Sequence, residues 1–187
     1  MNRNCVCVLL VCLVFFFACT REGTETSPAG TAFPELGIAL GIPENFLPMP
    51  EEALVELEAM LLGMPPFTAL PRYAYAEETG KAVLIISELI LMEGAELEEH
   101  PFDNISAYMR NLKAYFGVEE ITNETIISND IATLFLAMLL GDDSLLFKGL
   151  SYISPNRFLR IDLYILYDIT PAEALGFQNI FNSLRRL

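Results

Sequence analysis

Basic residues and histidine are scarce in this chain of 187 residues. There are 11 lysines and arginines against 25 aspartates and glutamates, a formal net charge of −14 at pH 7. Such a balance argues strongly against nucleic-acid binding, which requires basic side chains to neutralise phosphates. The single histidine excludes metal sites built from several histidines. Hydrophobic residues nevertheless make up 53% of the chain, so a folded core and one domain of ordinary size are expected.

Cysteine is absent from most of the chain. The four cysteines are Cys5, Cys7, Cys12 and Cys19, and none follows Cys19. An exported chain cut before Cys19 would therefore keep one thiol and could form no intramolecular disulfide. This distribution indicates that Cys19 serves some purpose other than cross-linking.

The N-terminal residues have the pattern of a secretory signal peptide. Arg3 precedes an uninterrupted apolar run, Cys5–Phe17, and charged residues follow closely at Arg21 and Glu22. The run is too short to cross about 30 Å of hydrocarbon comfortably. Length and flanking charges therefore predict a signal peptide over residues 1–18. An uncleaved signal anchor is a weaker alternative.

The apolar run closes with Phe16-Phe17-Ala18-Cys19, which resembles the lipobox of bacterial lipoproteins. In that motif a small residue precedes the cysteine that is acylated and becomes the new N-terminus. Ala18 and Cys19 fit, whereas Phe16 and Phe17 depart from the usual Leu and small residue. The resemblance implies lipidation of Cys19, for example with palmitate, and a lipid-anchored protein on the periplasmic or surface face of an envelope membrane. The alternative is an ordinary signal peptide, cleaved after Ala18 or Thr20.

Composition then divides the rest of the chain into a spacer and one domain. Residues Thr20–Pro34 are dominated by Thr, Gly, Ser, Pro and Glu, which cannot bury a hydrophobic face. We therefore expect a lipid-attached flexible tether over residues 19–34 and a single domain over residues 35–187.

Hydrophobic periodicity within that domain predicts several strands separated by turns. The predicted strands are Leu36–Leu40, Arg72–Ala76, Lys81–Met92, Leu145–Ile153 and Phe158–Tyr167. In the last of these, Leu159 and Ile161 alternate with Arg160 and Asp162, which predicts one core face and one partly polar face. Residues Ala132–Leu140 have a composition that suits a helix and a setting between turns that suits a strand, and we favour the strand.

Three helices and a polar turn complete the expected order. Pro50 followed by two glutamates starts a helix that Gly63 should end. Apolar residues at three- and four-residue spacing predict a second helix over Asn104–Phe116, followed by a polar turn at Thr122–Thr125. Thr170-Pro171-Ala172-Glu173 is a capping box that opens a final helix, with Ile180, Phe181, Leu184 and Leu187 on its apolar face and Arg185 and Arg186 at its negative end.

This order predicts an α+β fold, an antiparallel meander sheet of about six strands covered by about three helices. The segment Ile42–Phe46 and the terminal segment Phe177–Arg185, FQNIFNSLR, resemble the PsbP-like α/β/α-sandwich domain. That family includes extrinsic photosystem proteins, and similar small domains occur in bacterial lipoproteins. The resemblance implies a fold and a docking or accessory role for residues 35–187, and it carries no catalytic residues.

His100 is the one candidate for chemistry based on an imidazole. It lies in an acidic segment with Glu98, Glu99 and Asp103, residue types that can ligate a metal, but the spacing matches no ligand signature. We interpret the segment as a solvated loop in which Asp103 caps the following helix. No cofactor motif is present, so no catalytic, metal or cofactor residue is predicted.

The sequence thus favours a membrane-anchored accessory or binding protein without catalysis. Its predicted partners are the membrane, through acyl chains on Cys19, and a protein or small ligand of unknown identity. Two alternatives stay open. One is a hydrolytic or metal-dependent enzyme that uses His100. The other is an immunity- or inhibitor-type protein whose acidic surface binds a basic partner.

Overall fold

The computed structural model consists mainly of two antiparallel sheets. It describes residues 30–60, 66–96, 103, 120–128, 131–139, 145–154, 157–165, 170, 176 and 179–187. Within these ranges lie ten strands, which form a sheet of three and a sheet of seven. The chain is therefore richer in strands than the six expected from its sequence.

The larger sheet is a meander with one crossover, in the order β3-β4-β5-β9-β8-β7-β6, and every neighbouring pair is antiparallel. Its strands are β3 (Phe46–Pro48), β4 (Phe67–Glu77), β5 (Ala82–Leu91), β6 (Glu120–Ser128), β7 (Ile131–Leu139), β8 (Leu145–Ser154) and β9 (Arg157–Ile165). The predicted strands at 81–92, 132–140, 145–153 and 158–167 are confirmed, and β4 extends well beyond the predicted Arg72–Ala76.

One predicted turn is wrong. Residues Thr122–Thr125, expected as a polar turn, lie inside β6, which pairs with β7 along its length. Thr122 and Thr125 are β-branched and Ile126 and Ile127 follow them, so the segment suits a pleated strand although it is polar. Pairing with β7 explains why this polar segment is a strand and not a turn.

The smaller sheet joins the two ends of the domain. Strand β1 (Thr31–Phe33) and strand β10 (Arg185–Arg186) pair on either side of β2 (Ile38–Leu40). Strand β1 lies within the segment expected to be a flexible tether, and its Phe33 is buried against Tyr73 at a ring-centroid distance of 4.6 Å. Cross-strand pairing and this buried ring order the chain before the expected boundary at Glu35.

The C-terminal helix ends earlier than its periodicity predicts. Residues 179–182 are helical, Ser183 is a turn residue, and Arg185 and Arg186 form β10 instead of the last helical turn. Ile180, Phe181 and Leu184 are buried as expected, whereas Leu187 is 63% exposed. The backbone N–H of Leu187 donates to the Gly37 carbonyl, and this contact with the smaller sheet replaces a helical one.

Of the other two predicted helices, one is described. Helix α1 (Glu51–Met60) begins directly after Pro50, as expected, and packs against β4. The helix expected at Asn104–Phe116 lies outside the described residues.

In the central strands of the larger sheet both faces are buried, and the two faces differ in chemistry. One face, which we call the apolar face, carries Leu84, Ile86, Phe135, Phe147, Ile161 and Leu163. It is covered by the short 3-10 helix Pro34–Leu36, by strand β2 and by the C-terminal helical turn with the residues that follow it, which contribute Leu36, Ile38, Leu40, Ile180, Phe181 and Leu184. The opposite face, which we call the ionic face, carries Ile85, Ser87, Lys148, Leu150, Arg160 and Asp162. Burial of the apolar face supplies the main hydrophobic stabilisation of the domain.

Candidate functional site

Both sequence-based site candidates lie outside the described residues. Cys19, the expected lipidation site, precedes residue 30, and His100 falls between the described ranges that end at 96 and resume at 103. Among the described residues, no group of three or more His, Cys, Asp or Glu side chains could hold a metal ion. No helix in the described ranges is long and apolar enough to cross a membrane.

The structure instead brings three charged side chains together at the centre of the ionic face. Lys148 on β8 donates from Nζ to Oδ1 of Asp162 on β9. Arg160, two residues before Asp162 on the same strand, forms an ion pair from Nε to Oδ2 of Asp162 at 2.6 Å. This contact is an ion pair rather than an aligned hydrogen bond. The side chains of Lys148, Arg160 and Asp162 are 1%, 2% and 0% exposed. We call these three residues the buried triad.

Strand geometry explains why the triad assembles. Arg160 and Asp162 are separated by one residue on β9, so the alternation of a strand puts both on one face. Lys148 is directly opposite Asp162 in the register of β8 and β9. Directly opposed side chains of an antiparallel pair share a face and lie close enough to interact. The alternation of charged and aliphatic residues in β9 thus specifies half of the cluster.

A β-bulge sets the position of Lys148. At the end of β8, Ser154 pairs with Arg157, but the register shifts by one residue before Tyr152 pairs with Phe158. Without that shift, Lys148 would face Leu163 on the apolar face, because a one-residue slip exchanges the two faces of a strand. The bulge therefore places Lys148 on the ionic face, directly opposite Asp162.

Burial dominates the electrostatics of the triad. Removal from water, reinforced by the positive charge of Arg160, lowers the pKa of the Lys148 ammonium from 10.5 to about 8, although Asp162 opposes the shift. Where a solute can reach it, a lysine with so low a pKa can act as a nucleophile or a base. Lys148 is almost completely enclosed and donates to Asp162, so in this structure its charge acts on neighbouring groups within the sheet.

Ser87 is a fourth polar residue on the ionic face. It lies on β5 directly opposite Arg160, is completely buried, and its hydroxyl has no hydrogen-bond partner among the described residues. A buried hydroxyl without a partner is costly. The ionic face is thus a polar patch inside a hydrophobic domain.

The apolar face contains one small polar contact where the C-terminal helical turn packs most closely. Thr133 Oγ1 and Ser151 Oγ lie 2.8 Å apart and share a hydrogen bond. Gly149 lies directly below the ring of Phe181, and a Cβ there would be 2.9 Å from Phe181 Cδ1. Phe181 also contacts Phe135 edge to face, with ring centroids 5.0 Å apart. Absence of a side chain at Gly149 lets the aromatic ring sit on the sheet.

An exposed set of ionic contacts ties the N-terminal segment to the larger sheet. Glu88 accepts hydrogen bonds from Arg72 Nε and Nη2 at 3.1 and 2.7 Å, and its other oxygen is 3.4 Å from Arg157 Nε. Arg157 Nη2 also donates to the carbonyl of Glu35. One guanidinium therefore links the start of β9 to the turn that precedes β2.

The edge strand β10 of the smaller sheet carries two exposed cations. Arg185 and Arg186 on β10 are both exposed, and the described part of the chain gives neither of them a carboxylate partner. Strands β1 and β10 are neighbours of the same strand, so these arginines lie two strand spacings, about 10 Å, from Thr31. Thr31 opens β1, so the segment that leads back to Cys19 joins the domain at the opposite edge of the same three-stranded sheet.

Comparison with solved structures identifies the fold. The chain is similar to the solution structure of cyanobacterial PsbP (CyanoP) from Synechocystis sp. PCC 6803, with a TM-score of 0.54 and 11% sequence identity. The similarity covers 90% of this chain and 99% of that one. The fold is PsbP-like. No protein-family model matches the chain, and no curated protein matches its sequence.

This likeness confirms the coarse expectation of a PsbP-like α+β domain. At 11% identity it establishes the fold alone. The buried triad is a feature of this chain that sequence analysis missed. The sequence predicts that Arg160 and Asp162 lie on the partly polar face of their strand, but nothing in it indicates that this face is buried. The one available signal is Lys148, the only charged residue of its strand.

Proposed function

We propose that this protein is a lipid-anchored accessory protein of the bacterial cell envelope, whose PsbP-like domain binds a partner without catalysis. The observation that carries the proposal is Cys19 at the end of a thirteen-residue apolar run, with Ala18 before it and no later cysteine. Multiple acyl chains on such a cysteine would hold a protein firmly to a bilayer, which a single chain does not.

The arrangement of the domain supports an anchor at this position. Strand β1 begins at Thr31, eleven residues after Thr20, so the first paired strand follows the acylation site closely. Eleven residues span at most about 40 Å even when fully extended. The domain would thus stay close to the bilayer and could meet partners that are themselves in the membrane or beside it.

The distribution of charged groups supports a binding role. The largest concentration of reactive groups in the described residues, the buried triad, is enclosed within the sheet and paired internally. The chain as a whole carries a net charge of −14, which favours a partner with complementary basic groups. Binding through such charges should weaken sharply as salt is added, because exposed charges are screened.

The anchor is tested by expression in a bacterial host with a labelled fatty acid. The protein should carry the label and partition into the detergent phase, and Cys19→Ser should abolish both. Cys12→Ser removes a cysteine from the apolar run without touching the acylation position, and it should retain the label. Mass spectrometry that finds a free thiol on Cys19 of the mature protein, or a mature N-terminus well downstream, would overturn the anchor.

The binding role is tested separately by purification from membranes solubilised in mild detergent. A specific partner should elute as salt is raised if acidic groups make the contact, whereas an apolar contact should resist salt. A His100→Ala variant tests the absence of catalysis. Loss of a hydrolytic or metal-dependent activity in that variant would contradict a purely binding role.

A further inference from the structure

Resting on the proposed lipid anchor, we infer that the edge of the smaller sheet at Arg185 and Arg186 is the surface through which the domain contacts the bilayer, and that it recognises anionic lipid headgroups. Two independent observations meet at the smaller sheet. One is the entry of the anchoring segment at Thr31 on the edge strand β1, and the other is an exposed pair of cations on the opposite edge strand β10, about 10 Å across the sheet.

The charges elsewhere make this edge distinctive. Among the other described cations, Lys148 and Arg160 are buried in the triad, Arg72 and Arg157 are engaged by Glu88, and Lys81 also has an interaction partner. Arg185 and Arg186 are exposed and have no such carboxylate partner within the described ranges. With a net charge of −14, most of the chain is repelled by an anionic bilayer. An anionic bilayer therefore attracts this edge and repels the acidic rest of the domain.

The position of the cations is fixed by the fold. Strand β10 is held by its pairing with β2, in which Arg185 lies opposite Ala39 and Arg186 opposite Ile38. Leu184, directly before the pair, is buried, and the N–H of Leu187, directly after it, donates to Gly37. These contacts on both sides hold the backbone of the two arginines at the edge of the sheet, and the alternation of a strand sends their side chains to its two faces. Guanidinium groups bind phosphate oxygens through paired hydrogen bonds, which suits lipid phosphates.

The range of the electrostatic attraction and the length of the anchoring segment are compatible with a weak contact between the arginines and the bilayer. At physiological salt the attraction between exposed charges fades within about 8 Å, so two arginines cannot draw a free domain to a membrane from far away. The anchoring segment removes that requirement because it keeps the domain within about 40 Å of the bilayer. Two cations at an anionic surface should then favour the docked orientation by up to roughly thirtyfold.

The test uses the full acylated protein in vesicles, with a fluorescent label on an introduced cysteine. Because no cysteine follows Cys19, Leu187→Cys gives one label site beside the arginines. Energy transfer to a headgroup-labelled lipid should be stronger in vesicles that contain phosphatidylglycerol than in pure phosphatidylcholine. It should fall when salt is added, and it should fall in the double variant Arg185→Gln, Arg186→Gln.

Arg72→Gln is the matched control, since it removes an exposed cation that Glu88 already engages. It should leave the energy transfer unchanged. Equal transfer on both lipid compositions, or an equal loss in Arg72→Gln, would overturn the headgroup contact while the anchor stands. Acylation is verified by mass before reconstitution. A chain without acyl groups would refute the anchor, and with it this inference, whereas a fully acylated chain that shows no lipid preference refutes the inference alone.

Discussion

Lys148 and Asp162 form an ion pair in the middle of the seven-stranded sheet, and they face each other because β8 carries an irregularity two residues before its end. Removal of ions from water is costly, and it is offset here by charge pairing with the nearby Arg160. The arrangement makes the stability of the domain sensitive to which member of the triad is removed.

Asp162→Asn should be the most damaging substitution in the triad. It removes the carboxylate on which both Lys148 and Arg160 converge and leaves two buried cations side by side. We expect a loss of about 3–5 kcal/mol in the free energy of unfolding, measured by urea denaturation. Lys148→Met is the control, because it retains the pair of Arg160 and Asp162 and should cost far less. Equal losses of unfolding free energy in the two variants would show that the stability of the triad does not depend mainly on Asp162.

Lys148 should also make stability depend on pH in the alkaline range. Its pKa is about 8 in the folded protein and 10.5 as a model value, so between these pH values the unfolded chain binds more protons. The contribution of Lys148 to the free energy of unfolding therefore rises between pH 8 and 10.5, by about 3 kcal/mol at most. Tyrosines titrate in the same range, and burial raises the pKa of Tyr75, so the quantity to measure is the difference between the wild type and Lys148→Met. A constant difference across this range would contradict the assigned shift.

Gly149→Ala should destabilise the contact between the sheet and the C-terminal helical turn. The added Cβ would lie 2.9 Å from Phe181 Cδ1 and 3.3 Å from Thr133 Cγ2, closer than carbon atoms normally approach. We expect a cost of about 1–3 kcal/mol by thermal or urea unfolding. In a Phe181→Ala background the same substitution should cost much less, because the obstructing ring is gone. Additive effects of the two substitutions would rule out this contact as the cause.

Glu77 should support the turn between β4 and β5 in its ionised form. Its carboxylate accepts hydrogen bonds from the Thr79 hydroxyl, from the backbone N–H groups of Thr79 and Lys81, and from the amide of Asn45. The hydrogen bond from the Thr79 hydroxyl is the main reason that the pKa of Glu77 lies below 4.5. A lowered folded pKa gives stability that is present above the unfolded pKa and is lost as the pH falls through the folded one.

Glu77→Gln should consequently lower the melting temperature at neutral pH and reduce its decline at acidic pH. Glu78→Gln, at the exposed neighbouring position, is the control and should have the smaller effect on both quantities. If the melting temperatures of the wild type and Glu77→Gln decline identically at acidic pH, another carboxylate is responsible for the loss of stability in acid.

Local sequence patterns determined the individual elements of this domain well. The alternation of Leu159 and Ile161 with Arg160 and Asp162 defines β9, and the aliphatic run after Lys81 defines the central strand β5. Ile180, Phe181 and Leu184 are buried as their spacing predicts. These features follow from periods of two and of about three and a half residues, which a chain carries before it has any neighbours.

The tertiary structure determined which strands pair with each other and which of their faces are buried. Pairing with β2 makes Arg185 and Arg186 a strand where periodicity alone continues the helix, and pairing with β7 extends β6 through a polar segment. Burial of both sheet faces turns Arg160 and Asp162 from surface charges into an internal ion pair. The register shift in β8 then moves Lys148 to the same face. Strand pairing and register depend on contacts between residues far apart in the chain, so local propensity cannot encode them.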